Sequence, residues 1–251
     1  MKIKNRVAIV TGGTKQIGLS ICGTLLENNI DVAFIGTSKS SIADALKALE
    51  VNRRKNTICK GFKYDLLKLE GINKLINDIM VEFGQIDILI NSAGLLDLSS
   101  IENSSIDRWN EVMTLNLSAP FFLVKNVLPH LKKSNAPRIV NIASNAGRMG
   151  GYANGMSYTS SKGGLIALTY GLARQLANWN ITVNCVAPGT IESEMLNSRD
   201  PETIKELLEK FPIKRFGKCN EVAQAVRYFI DEDSGFTTGA VLDVNGGLFT
   251  G

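Results

Sequence analysis

The sequence predicts an α/β protein, a doubly wound, seven-stranded parallel sheet with helices on both faces, in one domain spanning residues 1–251. Three observations carry this. Short β-branched apolar runs alternate with longer segments whose apolar residues recur every three or four positions. A glycine-rich turn follows the first such run. The 251 residues, 44% hydrophobic and 21% charged, are enough for one large core, without repeat, linker or low-complexity tract.

The strands are read in order from "RVAIVTG", "DVAFIG", "TICKGFKYD", "IDILINSAG", "PRIVNIAS", "ITVNCVAPG" and "AVLDVNGG". Between them, "IGLSICGTLLENN", "GINKLINDIMVEFG", "RWNEVMTLNLSAPFFLVKNVLPHLKK" and "SYTSSKGGLIALTYGLARQLANW" carry the helical period. The charged stretch "LNSRDPETIKELLEKFPIKRFG" is helical too, and is expected to serve as a mobile lid. In this Rossmann-type arrangement ligands bind beyond the carboxyl ends of the strands, so the residues just after each strand matter most.

Several function classes drop out. The formal charge of +4 is spread among acids, and the densest basic cluster, Arg53 to Lys55, reads as solvated surface, so nucleic acid is not expected as a partner. The start lacks a signal-peptide core and no apolar run of about 18 residues occurs, so no membrane partner and a cytoplasmic location are expected. Cys22, Cys59, Cys185 and Cys219 have no metal-ligand spacing and are expected to be buried thiols. No metal is expected. The single histidine, His130 in "VLPHLKK", suits a structural role, which removes Ser-His-Asp chemistry.

"TGGTKQIG" follows a strand and opens a helix, where Gly12, Gly13 and Gly18 would let backbone approach a pyrophosphate. By spacing alone it is a poor match to G-x-G-x-x-G, and a tight structural turn explains it equally well. Near the middle of the chain, Tyr158 and Lys162 stand four apart in "MSYTSSKGG", on one helix face. Ser144 ends "RIVNIAS", and Asn116 lies in "MTLNLSAP".

Together these motifs resemble the short-chain dehydrogenase/reductase family. Its cofactor loop, Thr-Gly-x-x-x-Gly-x-Gly, is matched from Thr11 to Gly18 except at Gln16, which is expected to be accommodated by right-handed helical geometry. Pteridine reductases, a branch of that family, carry Arg there. The resemblance implies that Gly12, Thr14, Lys15, Gln16, Ile17 and Gly18 bind cofactor. It places Asp65 and Leu66 of "YDLL" near adenine, and Asn91, Ala93 and Gly94 of "INSAG" in a matching Asn-Asn-Ala-Gly motif with Ser92 in place of the second Asn. In "VAPGTIESEM", Pro188, Gly189, Ile191 and Ser193 match the segment that lies against nicotinamide. The end of the second strand holds Gly36, Thr37, Ser38 and Lys39 rather than a carboxylate. With Lys15 nearby, NADP(H) is the expected cofactor, its 2′-phosphate meeting Lys15, Thr37 and Ser38.

The family's catalytic set maps onto Asn116, Ser144, Tyr158 and Lys162. The resemblance implies that Tyr158 protonates a carbonyl oxygen and that Ser144 hydrogen-bonds that oxygen. Lys162 would bind the nicotinamide ribose and lower the phenol pKa, and Asn116 would hold a relay water. Thirteen residues separate Ser144 from Tyr158, with Met149, Tyr152 and Met156 as pocket candidates. Length and layout are most similar to those of 3-oxoacyl-[acyl-carrier-protein] reductases, implying fatty acid synthesis, an acyl-thioester substrate and a homotetramer. Lys132 and Lys133 could meet an acidic carrier protein, whereas Trp179 and Asn180 stand where such reductases often place a basic residue. A free ketone, sugar, steroid or secondary alcohol as substrate, and a non-catalytic NADP-binding regulator, remain open alternatives.

Overall fold

The expected runs, all but the third rich in apolar residues, form seven strands: β1 (Val7–Thr11), β2 (Asp31–Gly36), β3 (Cys59–Lys63), β4 (Ile88–Asn91), β5 (Arg138–Ile142), β6 (Thr182–Pro188) and β7 (Val241–Val244). In the computed structural model, which describes residues 5–151, 154–193, 196 and 201–251, they build one sheet ordered β3-β2-β1-β4-β5-β6-β7. Every adjacent pair is parallel. The doubly wound parallel sheet expected from the alternation is therefore what forms.

The helices are α1 (Gln16–Glu27), α2 (Lys39–Leu49), α3 (Ile72–Phe83), α4 (Ile106–Met113), α5 (Ala119–Leu131), α6 (Ala146–Met149), α7 (Met156–Leu176), α8 (Pro201–Glu209) and α9 (Cys219–Ile230). Alternation along the strands divides the core between the two faces of the sheet. Ile9, Leu89, Ile139 and Val183 pack under Ile76 and Ile79 of α3, Leu123 and Val127 of α5, and Leu172 and Leu176 of α7. Val10, Ile90, Val140 and Val186 pack under Ile21 and Leu25 of α1, Ile42 of α2, and Val222, Val226 and Phe229 of α9. Because both faces are covered, the central strands are buried throughout and apolar except for Thr11, Asp31 and Asn91 at their ends.

Three helices, α2, the one-turn α6 and α9, exceed what spacing led us to expect. In α2 only Ile42, Ala45 and Leu49 are buried, too thin a stripe to stand out; Ser38 caps it, accepting the Ser41 amide at 3.1 Å. At the start of α9, the Glu221 carboxylate accepts the Lys218 amide at 2.8 Å. The expected long helix through Asn116 is also broken in register. A π-helical turn, Thr114–Ser118, joins α4 to α5. Pro120 has no amide hydrogen to give the Asn116 carbonyl, so the α-ladder cannot run through that point.

Cys22 and Cys185 are buried as expected, but Cys59 and Cys219 are only half-buried, since both stand at element ends. Among the described residues no group of His, Cys, Asp and Glu is arranged to hold a metal, and no helix is long and apolar enough to cross a membrane.

Candidate active site

The strand order reverses at β1, with β2 and β3 on one side and β4 to β7 on the other. The chain leaves β1 and β4 in diverging directions there, opening a crevice at the carboxyl edge of the sheet. Thr11 ties its two walls together. Its hydroxyl accepts the amides of Ser92 and Ala93, each at 2.9 Å, which joins the first loop to the loop after β4. This tie was not anticipated; Thr11 opens the matched motif, but the motif does not say what its hydroxyl meets.

Two glycines of the first loop leave bare backbone by necessity. Gly12 has φ +66°, and a side chain on it would come within 2.9 Å of the Ala93 Cα. A side chain on Gly18 would come within 2.1 Å of the Gly12 carbonyl oxygen. The first turn of α1 carries no acidic residue, and Lys15, its N-cap, makes no side-chain cap, so helix-end amides face the crevice without a competing anion. A cradle of this kind fits a pyrophosphate.

Gln16 corrects one expectation. It does not enter the helix with right-handed geometry: its φ is +50°, in the left-handed region. The family's glycine at that place thus has a backbone reason, and Gln16 occupies it at a cost of about 1 kcal/mol. Its side chain is exposed and contributes to the crevice wall.

Two cavities occupy the crevice and share Gln16, Ile17, Ser92 and Gly94. The first, about 400 Å³, is lined by Gly12, Thr14, Lys15, Gln16, Ile17, Gly18, Thr37, Asp65, Leu66, Ala93 and Gly94 of the expected set. Gly36, Tyr64, Leu67, Glu111 and Leu115 complete much of its wall. Ser38 is not part of that wall and instead caps α2. Asn91 lies beneath it, 2% exposed, giving its amide to Asn141 at 2.8 Å. Asn141 in turn donates to Thr169 of α7 at 2.9 Å, a buried polar chain from β4 to α7 that sequence inspection missed.

The second cavity, about 370 Å³, brings Ser144, Tyr158 and Lys162 together with Pro188, Gly189, Ile191 and Ser193. Ser144 ends the loop after β5, while Tyr158 and Lys162 come from successive turns of α7. Lys162 is buried and donates to the Ile142 carbonyl at 2.8 Å, and burial lowers its pKa to about 8. Its Nζ is 5.9 Å from the Tyr158 ring centre. Burial pushes the Tyr158 phenol above its ordinary pKa, and a hydrogen bond with Ser144 only partly opposes this. The expectation that Lys162 would hold the phenol low is not met in this state: Lys162 is not among the groups that shift the phenol; burial and the Ser144 hydrogen bond are. A neutral phenol beside a serine hydroxyl is suited to giving a proton.

Asn116 belongs to the same assembly without lining the cavity. It is fully buried in the π-turn, accepting the Leu95 amide at 2.8 Å and donating to the Leu95 carbonyl and the Ser161 hydroxyl, both at 3.0 Å. Of the other pocket candidates, Met156 is 45% exposed at the start of α7 and Met149 receives the Asn145 amide at its sulfur; neither lines the cavity. Tyr152 lies outside the described residues. So does part of the expected lid, residues 197–200, but Leu196, Phe211 and Phe216 cluster beside α8 and the first two line the cavity.

Residues 6–203 match the short chain dehydrogenase family. Among curated relatives, the 3-oxoacyl-[acyl-carrier-protein] reductase FabG of Salmonella typhimurium is 33% identical over 249 residues, covering 99% of each chain. The enzyme of that name from Aquifex aeolicus is 36% identical over 251 residues, again with 99% of each chain covered. Among solved structures, a blue fluorescent protein from a metagenomic library, in complex with NADPH, superposes with TM-score 0.90 at 29% identity over the whole of both chains. A putative short-chain alcohol dehydrogenase from Sinorhizobium meliloti does so with TM-score 0.91 at 26% identity, covering 98% of this chain and 97% of that one. Since the match runs from the glycine loop past Ser144, Tyr158 and Lys162, this chain belongs to the short-chain dehydrogenase/reductase family of oxidoreductases.

Proposed function

We propose that the protein is an NADP(H)-dependent carbonyl reductase and alcohol dehydrogenase, acting on 3-oxoacyl thioesters, with Tyr158 as the proton donor. The observation that carries this reading is the junction of the two cavities at Ser92 and Gly94, which connects the bare backbone of the first loop to the hydroxyls of Ser144 and Tyr158. The full-length likeness to reductases named for 3-oxoacyl-[acyl-carrier-protein] supports the substrate class.

The cradle at Gly12 and Gly18 fits the pyrophosphate of a dinucleotide. Where a carboxylate would select NAD, the chain has Gly36 and exposed Thr37, with Lys15 on the same wall, which supports NADP(H). When bound, the nicotinamide supplies the hydride. Tyr158, neutral at physiological pH as any phenol is and held more firmly so by burial, gives its Oη proton to the carbonyl oxygen as negative charge develops there. Ser144 donates a hydrogen bond to the same oxygen. Lys162, with a pKa of about 8, is able to release and regain a proton near neutrality and so to restore Tyr158. Positioned acid catalysis of this kind is worth roughly 10²–10⁴-fold. Leu96, Leu98, Ile191, Leu196, Phe211 and Leu248 give the substrate end an apolar wall suited to an acyl chain.

One observation favours a second reading, a free small ketone or alcohol rather than a carrier-bound one. Lys132, a cation expected to meet an acidic carrier, lies with its Nζ 3.6 Å from the Trp179 ring centre, and exposed Glu192 stands at the cavity mouth. We also assign a homotetramer, supported by the exposure of Trp109 of α4, Phe121 of α5 and Tyr170 of α7, between 38% and 44%. Light scattering tests it; a monomer at all concentrations overturns it.

The deciding experiment follows NADPH consumption with a short 3-oxoacyl thioester, beside NADH and beside Tyr158→Phe. Turnover that prefers NADPH and vanishes in the variant supports the reading. NADPH binding without turnover moves the substrate to free ketones and alcohols.

A further inference from the structure

Asp97 lies on the loop between β4 and α4, outside the catalytic set, and is 4% exposed. A carboxylate is kept in such a place only when its oxygens are fully partnered. Its Oδ2 accepts the hydroxyl of Ser157. Its Oδ1 accepts the hydroxyl and amide of Ser99, at 2.7 and 3.2 Å, and faces the Arg108 Nε at 3.6 Å. Its backbone carbonyl accepts the Gly155 amide at 2.8 Å. A side chain on Gly155 would come within 2.6 Å of Oδ2, so this approach depends on glycine.

Two of these partners, Gly155 and Ser157, belong to the start of α7. Gly155 is the N-cap and offers no side chain, and the first turn of α7 holds no acidic residue. A helix begun this way lacks its own cap, and its first turn, which contains Tyr158, is the part least restrained by the helix itself. Asp97 supplies from another element the anion and acceptor that the helix start lacks. The neighbours of Asp97 face the other way: Leu96 and Leu98 line the substrate end of the cavity. Arg108 of α4 fixes Leu96 by donating to its carbonyl at 2.6 Å, and is itself paired with Glu111 at 2.7 Å.

We infer that Asp97 is a positioning residue that clamps the first turn of α7 to the loop after β4, so fixing Tyr158 relative to the Leu96 and Leu98 wall. This rests on the reading of Tyr158 as proton donor. Hydrogen bonds from Ser157 and Ser99, with Arg108 beside them, hold the Asp97 pKa down to about 2 despite its burial, so the clamp stays ionised throughout any practical assay range. The clamp acts through geometry rather than by titrating.

The test uses Ser157→Ala, Asp97→Asn, Asp97→Ala and the Ser157→Ala/Asp97→Asn double variant in the full chain. We expect Ser157→Ala and Asp97→Asn each to lower kcat about tenfold with the NADPH Kd within twofold of the parent, since small misplacement of a reacting group costs rate rather than cofactor binding. The double variant should be no slower than the slower single one, because both break the same link. Asp97→Asn should retain more activity than Asp97→Ala, as it keeps one acceptor for Ser99.

A second readout needs no substrate. The ultraviolet titration of Tyr158, isolated by subtracting Tyr158→Phe in each background, should move toward that of an ordinary tyrosine in Ser157→Ala and Asp97→Asn. A Ser157→Ala protein with unchanged kcat and unchanged Tyr158 titration overturns the inference, as does loss of NADPH affinity in step with kcat. If the parent turns over no carbonyl compound, the catalytic reading fails and the titration alone decides the clamp.

Discussion

The ammonium of Lys162 is 2.8 Å from the carbonyl oxygen of Ile142, and the side chain is buried. No carboxylate accompanies it among the described hydrogen-bond and ion-pair partners. One carbonyl dipole offsets only part of the lost hydration, so the charged form is disfavoured and the pKa falls from 10.5 to about 8.

The stability consequence follows by sign. Between pH 8 and 10.5 the unfolded chain still binds the proton that folded Lys162 has released, so this group makes stability rise with pH across that window. Below pH 8 the buried charge destabilises the fold in full, by about 3 kcal/mol. Lys162→Met should therefore abolish turnover yet raise the urea midpoint at pH 7. Its stability should also lose the rise between pH 8 and 10.5. A variant less stable than the parent at pH 7 would mean that packing around the lysine stem outweighs the charge.

Gln16 yields a prediction of the opposite kind, in which removing a side chain helps. Its φ of +50° costs about 1 kcal/mol for a residue with a Cβ, and glycine is free of it. Gln16→Gly should leave NADPH affinity unchanged or improve it, measured by fluorescence titration, and should not lower the thermal midpoint. A large loss of affinity would show that the exposed Gln16 amide contacts the cofactor directly. The contrasting variant is Gly18→Ala, whose new carbon would meet the Gly12 carbonyl at 2.1 Å. It should weaken NADPH binding by tenfold or more.

How much of this was legible beforehand depended on whether a feature rests on spacing or on contact. The strands other than β3 were legible as apolar runs, and the meeting of Ser144, Tyr158 and Lys162 in one cavity because their order and separation match a motif. Helix α2 was not, since it buries only three side chains, and the π-turn at Asn116 was not, since helical periodicity continues through it. The contacts of Thr11, Asp97 and Asn141 were invisible for a common reason. Each is an ordinary polar residue whose role comes from partners 81, 60 and 28 positions away in sequence. Gln16 was misjudged because a local sequence does not report the sign of φ.

The proposed preference for NADP(H) can be tested at Thr37. Thr37 is exposed on the wall of the first cavity just after β2, where no carboxylate opposes a 2′-phosphate. Thr37→Asp would place one there, to accept a ribose hydroxyl and repel the phosphate. The ratio of kcat/KM for NADPH over NADH should fall by at least about tenfold, with little change in stability because the side chain is exposed. An unchanged ratio would locate the 2′-phosphate elsewhere, with Lys15 as the residue to vary next.

The buried chain from β4 to α7 allows a test in which the pair behaves differently from its members. The Asn91 amide nitrogen donates to Asn141, and among the described residues its buried Oδ1 has no hydrogen-bond partner, so this link satisfies the donor alone. Asn141 is fully buried and also donates to Thr169. Asn141→Ala leaves the Asn91 donor stranded and opens a small cavity, and should destabilise the fold by about 2–4 kcal/mol in urea titration. The Asn91→Leu/Asn141→Leu double variant removes both polar ends and refills the space, so its cost should fall below the sum of the single ones. Below its unfolding transition the double variant should bind NADPH if Asn91 supports the loop from beneath. Loss of binding in a folded double variant would assign the Asn91 side chain a direct part in holding cofactor.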